Sequence, residues 1–288
     1  MDVLFLTSDN SVRTSNSYTS KSDSPEKQDD FAVKSIERFH FIASKTEQAR
    51  NSLQALTDRY GQSTVDEADV IVVLGGDGTM LEVLHNFMNS GKPIYGMNRG
   101  SVGFLMNEYR IANLPQRIAK AHKEDIKPLR MIADSTCEGH VEALAINEVS
   151  LFRQSYQAAK IKISIDDKVR MEELNCDGVM VATPAGSTAY NLSAQGPILP
   201  LLAPLLALTP VSPFRPRRWH GALLPNSVTV RFDMLELDKR PVNAAADNVE
   251  VKSVSSVIIS LAHGVKASIL FDSNHSWDER ILSEQFRY

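Results

Sequence analysis

VIVVLGGDGTMLEVL, residues 70–84, passes from a β-branched apolar run through a glycine cluster into a helical pattern. The continuous run Val70–Leu74 is that of a strand buried on both faces of a parallel sheet. Gly75, Gly76 and Gly78 let the backbone turn sharply and come close to a ligand without Cβ collisions. Thr79 is placed to cap the following helix through its hydroxyl, and Met80, Leu81, Val83, Leu84, Phe87 and Met88 give that helix an apolar face. A strand, a glycine loop and a helix start leave backbone N–H groups pointing outward at the positive end of a helix dipole, which is a seat for phosphate. One carboxylate, Asp77, sits in that seat. Taken alone, the loop leaves two roles for it: a cap in a tight turn, or a base or metal-positioning group beside a phosphoryl group in transfer.

Working outward, Phe39–Ala43 reads as a short strand. Thr46 caps a helix with Ala49, Leu53, Leu56 and Tyr60 on one face, and Gly61 ends it. Pro93–Met97 is a further strand. The βαβαβ alternation predicts a parallel sheet with right-handed crossovers. A second glycine-bearing loop, Asn98–Leu105, follows at a strand's carboxyl end, the edge where open α/β sheets hold ligands. A helix is expected over 111–121. Beyond Leu129 the pattern changes to short strand-like runs at 130–134, 141–152, 159–165, 178–183, 228–234, 257–262 and 267–271, which predict a β-rich, sandwich-like second domain. The expected organisation is a flexible extension over 1–38, in which 2–6 has strand character, an α/β domain over 39–122 and a β-rich domain over 123–271. The segment 272–288, with Trp277, Ile281, Leu282 and Phe286 at helical spacing, is expected to pack back on the first domain.

At 288 residues the chain is long enough for two domains with their own cores. A formal charge of −4 gives no global attraction to nucleic acid or anionic membranes, so phosphate must be held by local geometry. Arg215, Arg217 and Arg218 form a dense positive patch, which reads as a solvated loop. Cys137 and Cys176 are too far apart in sequence for a CxxC pair or a metal knuckle and fit a reducing compartment. No apolar run reaches membrane-spanning length and no secretory signal pattern opens the chain, so a cytoplasmic protein is expected.

Two other segments carry chemistry. Asn147 and Glu148 interrupt an apolar β run, where adjacent residues point to opposite faces and at least one is placed at a cost. They read either as an exposed edge pair or as donors and acceptors for ribose hydroxyls. Asp177–Asn191 runs from a carboxylate through a strand into a Pro-Ala-Gly-Ser-Thr turn and then Tyr190. It suits a nucleotide held by backbone amides with a base on the ring, or else a structural strand-to-helix turn. Gly96, Gly100 and Gly103 do not have GxGxxG spacing, and no GxxxxGK[ST], HExxH, GxSxG or EF-hand loop occurs, so Rossmann, P-loop, zinc-protease and serine-triad readings lack support.

Taken together, Gly75–Thr79, Asn98-Arg99-Gly100 with Gly103-Phe104-Leu105, Asn147-Glu148, and Asp177-Gly178 through the ATPAGSTAYNLS run at 182–193 resemble the NAD kinase family over about residues 39–288. The resemblance implies an α/β domain and a β-rich domain with the site in the cleft. It implies that Asp77 activates the 2′-hydroxyl of the adenosine ribose, with Gly75, Gly76, Gly78 and Thr79 on the phosphates. Asp77, Gly78, Phe104, Asn147, Glu148, Asp177, Ala185, Thr188, Ala189, Tyr190, Ser193 and, on a looser match, Asp247 are implied to hold NAD. Mg²⁺ is implied as carried mainly by the donor's phosphates and not by fixed protein ligands, with ATP or polyphosphate as donor and a homodimer or homotetramer as the assembly. Gln195 departs from the family pattern, standing where a second glycine is often found. Residues 1–38 have no counterpart in the resemblance, and no role is assigned to the proline-rich run over 199–218. Two other classes compete: a lipid kinase of the GGDGT group, for which no basic amphipathic helix is seen, and a non-catalytic dinucleotide sensor.

Overall fold

A computed structural model describes residues 36–100, 103–273 and 286. The extension expected over 1–38, with its strand at 2–6, lies outside the described residues apart from 36–38. The helix expected over 275–288 does so too, apart from Phe286.

The first layer forms as the periodicities require. β1 (Phe39–Ala43), α1 (Glu47–Tyr60), β2 (Val70–Gly75), α2 (Asp77–Phe87) and β3 (Ile94–Asn98) follow one another, with β1, β2 and β3 paired in parallel. Thr46 caps α1 by accepting the Ala49 N–H, and Gly61 ends it at φ 75°. Every residue of β2 is buried. Its alternate side chains serve two cores. Val70, Val72 and Leu74 pack with Ala49 and Leu56 of α1, while Ile71 and Val73 pack with Met80, Val83 and Leu84 of α2.

After α3 (Leu114–Ala119) and β4 (His122–Ile126) the chain builds the strands β5 (Leu129–Ser135), β6 (Gly139–Ala145), β7 (Glu148–Arg153), β8 (Ala159–Ile165), β9 (Lys168–Cys176) and β10 (Gly178–Ala182). A 3₁₀ turn at Gly186–Thr188 and α4 (Tyr190–Ser193) precede β11 (Leu205–Val211) and β12 (Ala222–Pro225). β13 (Val230–Met234), β14 (Val242–Ala246), β15 (Val249–Val251), β16 (Val254–Leu261) and β17 (Ala267–Phe271) complete it. Two antiparallel six-stranded sheets result, in the orders β12-β11-β10-β7-β14-β15 and β6-β5-β16-β13-β8-β9. Their facing side chains, among them Leu151, Val179, Val181, Phe232, Val257 and Ile259, form one core. This is the β-rich second layer that the sequence predicts.

Four local readings change. The expected domain boundary places 267–271 with the β-rich part, but β17 inserts between β3 and β4 in the first sheet, parallel to the former and antiparallel to the latter. That central position explains why ASILF is almost wholly buried. Thr79 does not cap α2, because the helix starts two residues earlier with Gly76 at the cap position and no side-chain cap bond. The helix expected over 111–121 is shorter, since Asn113 adopts a left-handed conformation and the helix begins at Leu114 ahead of Pro115. The run 141–152 is two strands, not one: β6 and β7 belong to different sheets, and the chain crosses between them at Ile146 and Asn147.

Candidate functional site

The glycine loop leaves the carboxyl end of β2 and enters α2 with Asp77 as its first helical residue. The unpaired N–H groups of the first turn of α2 face outward there, as helix geometry requires. The Asp77 carboxylate accepts hydrogen bonds from the backbone N–H of Phe104 at 2.7 Å and of Leu105 at 3.0 Å. It therefore clasps the second glycine loop at the end of β3. A Cβ on Gly103 would lie 2.2 Å from Asp77 Oδ1, so only glycine lets that loop close on the carboxylate. The Arg99 N–H donates to Gly75 O at 2.7 Å, which ties the two loops again. The Arg99 guanidinium lies over the Tyr109 ring at 3.9 Å, and its buried Nε has no hydrogen-bond partner.

The Asn147–Glu148 pair lies in the crossing between the two sandwich sheets. The reading of a continuous strand with two opposed faces fails there, because the N–H groups of Ile146, Asn147 and Glu148 leave the ladder and all donate to the Asp247 carboxylate, at 2.6, 3.0 and 3.1 Å. The turn after β10 packs on this crossing. Thr183 N–H donates to Asn147 O at 2.9 Å, the Thr183 hydroxyl donates to Ile146 O at 2.7 Å, and the same hydroxyl accepts the Gly186 N–H at 3.0 Å. Gly186 approaches so closely that a Cβ would stand 2.1 Å from Asn147 O. Ile146 and Ala185 then join Met80 and Val83 of α2, with Phe104 packed against them, in a single apolar cluster. The glycine loop's helix, the second glycine loop, the Asn-Glu crossing and the ATPAGSTAY turn are thus brought together.

Glu148 is the electrostatic outlier of this region. Burial, and secondarily the charge of Asp247, push its carboxyl up to about 7. Its Oε2 is buried without a hydrogen-bond partner. A buried carboxyl oxygen without a partner is an open acceptor, and such a group in a native fold calls for an explanation. Tyr190, half-exposed, packs on Phe152 with ring centroids 5.5 Å apart, and burial raises its hydroxyl pKa, with Glu148 adding to the effect.

Asp177 stands apart. It precedes β10, whose other end leads to the Thr183–Ala185 turn, so roughly 16 Å of strand separates the two. Its carboxylate pairs with Arg153 Nε at 2.6 Å. Thr188 turns its hydroxyl back to Ala185 O at 3.3 Å, and Ser193 is exposed at the end of α4. Gln195 adopts φ 62°, in the left-handed region. Asp247, which the resemblance aims at the dinucleotide, has a side chain with no exposed surface, and beyond the three amides it meets His85 Nε2 at 2.7 Å. His85 and Arg153 carried no signal in the sequence: one interrupts a helix's polar side and the other ends a strand. Both cysteines are free; Cys137 is exposed, and burial pushes the Cys176 thiol up to about 12.

Comparison with known proteins gives a consistent result. Residues 3–126 match the family model described as ATP-NAD kinase N-terminal domain, and residues 146–241 match that of the ATP-NAD kinase C-terminal domain. The first match begins inside the 1–38 segment, which therefore does have a counterpart over part of its length. A NAD kinase of Brucella suis is 69% identical over 249 residues, covering 86% of this chain and 97% of the relative. Among solved structures, yeast NADH kinase complexed with NADH superposes with a TM-score of 0.75 at 20% identity, covering 88% of this chain and 89% of that one. A NAD kinase from Archaeoglobus fulgidus in complex with ATP gives 0.68 at 22% identity, covering 85% and 99%.

Proposed function

The chain belongs to the NAD kinase family and is an enzyme that phosphorylates NAD, and from that premise we propose how its own residues divide the work. The donor is ATP, with polyphosphate as a second candidate, seated on the backbone amides at Gly75, Gly76, Gly78 and Thr79 where α2 begins. The acceptor is the 2′-hydroxyl of the adenosine ribose of NAD. The observation that carries this assignment is Glu148, whose buried, partnerless Oε2 and raised pKa mark a site for a hydroxyl donor beside Asn147.

Asp77 takes the hydroxyl proton as that oxygen attacks the phosphoryl group. The bonds from the Phe104 and Leu105 amides use one lone pair on each carboxylate oxygen and fix its orientation, which leaves a lone pair for the proton and links the base to the position of the second glycine loop. Gly78, Phe104, Ala185, Thr188, Ala189 and Ser193 line the dinucleotide. Tyr190 and Asp177 serve its far end, which fits an extended ligand reaching along β10. The α/β part carries the donor and the sandwich carries NAD. Mg²⁺, carried mainly by the donor's phosphates and not by fixed protein ligands, would supply neutralisation of the charge that moves with the phosphoryl group. We assign the enzyme to the cytoplasm, supported by its two free cysteines, which fit a reducing compartment. A homodimer or homotetramer accords with the exposed Leu202, Phe214 and Leu223 on the β-rich part.

Incubation with Mg²⁺, NAD and a panel of ATP, other nucleoside triphosphates and polyphosphate, with NADP as readout, tests the reaction and the donor together. Asp77→Asn is expected to lower turnover by roughly 10²-fold or more with little loss of NAD affinity. Near-parental turnover would remove the base role, and saturable NAD binding without NADP from any donor would remove the activity.

A further inference from the structure

We propose that Asp247 and His85 form a positioning latch that fixes the Asn147–Glu148 crossing against α2, and so sets the distance between the proton acceptor at the start of that helix and the ribose hydroxyl. The proposal rests on the roles given above to Asp77, Asn147 and Glu148.

Asp247 lies in the two-residue turn between β14 and β15 at φ 48°, a left-handed conformation that aspartate tolerates and that a tight hairpin demands. The turn aims its carboxylate into the crossing between β6 and β7. Three consecutive amides donate to it there, and its own N–H donates back to Glu148 O at 3.2 Å. A carboxylate without exposed surface needs nearly every lone pair satisfied. The fourth donor is His85 Nε2 at 2.7 Å, and it comes from the other layer of the protein, from the last turn of α2. Eight residues of helix, about 12 Å, separate His85 from Asp77. One rigid element thus carries the base at its first residue and a latch donor near its last. With the amides fixed to the same carboxylate, the backbone of Asn147 and Glu148 moves only if α2 moves with it.

Phosphoryl transfer is mainly a matter of positioning, and a misplacement of about 1 Å is worth up to roughly 10²-fold in rate. The His85 side chain is only 21% exposed, so alanine removes packing as well as the donor, and the glutamine and leucine variants separate the two effects. Asp247 therefore acts on the dinucleotide through the residues it holds, and His85 is a positioning residue with no substrate contact of its own.

The test is steady-state kinetics on the full chain for His85→Ala, His85→Gln and Asp77→Asn, with thermal melts alongside. His85→Ala is expected to lose about 10-fold in kcat and to raise KM for NAD, while KM for ATP stays within about 2-fold of the parent. His85→Gln, which returns an N–H donor at similar reach, is expected to recover to within about 3-fold. Should His85→Ala fail to fold, His85→Leu keeps the bulk, removes the donor and carries the same expectation. Parental kcat and KM for NAD in the donor-less variant, whatever its melting temperature, would overturn the latch, and so would a glutamine variant as impaired as alanine. If Asp77→Asn turns over like the parent, the base assignment fails by itself. If Asp77→Asn is inactive and His85→Ala is unimpaired, only the latch fails.

Discussion

Replacing Glu148 by glutamine should make the protein more stable and a poorer enzyme, with the stability gain growing as pH rises from about 4.5 to 7 and complete above that. In the folded chain the Glu148 carboxyl is pushed from its ordinary 4.5 to about 7, first by burial and then by the neighbouring Asp247 charge. The folded state therefore keeps a proton over a range in which the unfolded chain has lost it. Stability is then full below about pH 4.5, falls as pH rises toward 7, and levels off above that. The slope is at most about 1.4 kcal/mol per pH unit, and the shift integrates to about 3 kcal/mol. Glutamine has no charge to bury, so its profile lacks this fall.

Urea unfolding at pH 5.5, 7 and 8.5 measures the difference. Beyond any constant offset, the variant should exceed the parent by about 1.4 kcal/mol at pH 5.5 and by about 3 kcal/mol at pH 7 and 8.5. The same variant should show a raised KM for NAD, because the amide replaces the carboxylate oxygen that takes the ribose hydroxyl. A difference between variant and parent that is identical at all three pH values would refute both the buried, partnerless carboxyl and the reading built on it.

Gly103→Ala places a Cβ 2.2 Å from Asp77 Oδ1; the carboxylate must swing away and lose its bonds to the Phe104 and Leu105 amides, so turnover should fall by at least 10-fold and stability by about 1–3 kcal/mol, as NADP formation and urea titration will report. Gly186→Ala meets backbone instead, 2.1 Å from Asn147 O, and should destabilise the fold by about 1–3 kcal/mol as well as weakening NAD binding measured by calorimetry. Gln195→Gly relieves a left-handed residue at φ 62°; relief of about 1–2 kcal/mol less the entropy of glycine, about 0.5–1, leaves a gain of about 0.5–1 kcal/mol in denaturant unfolding.

What the sequence discloses follows from where the physics is local. The β1–α1–β2–α2–β3 unit was legible because its strands are buried on both faces and its helices carry one apolar stripe, so each pattern states its own environment. β4 was missed because HKEDI is mostly exposed and polar at the sheet edge, and only its pairing to β17 makes it a strand. The same holds for the polar edge strand β9, and for β11, where Pro210 argues against a ladder that nonetheless forms. β17 looked like its neighbours in the sandwich, since burial between two strands leaves the same apolar signature in either sheet.

The site divides along the same line. Gly75–Asp77 and the ATPAGSTAY turn declare themselves, because glycine, proline and small hydroxyl residues in a cluster have few uses apart from close backbone approach. Asn147 and Glu148 stand out in sequence as polar residues in an apolar run, yet they do not occupy two faces of one strand. Their backbone N–H groups had left the ladder for a carboxylate about a hundred residues away. That partner's aspartate is visible in the sequence, whereas its reach is not. A long-range bond from a hairpin turn to a chain crossing, and from there to a helix histidine, has no period and no spacing. It exists only once three separately folded pieces have been brought into register. Backbone approach is therefore legible from composition and motif, whereas the bonds that tie Asp247 to the crossing and to His85 appear only in the fold.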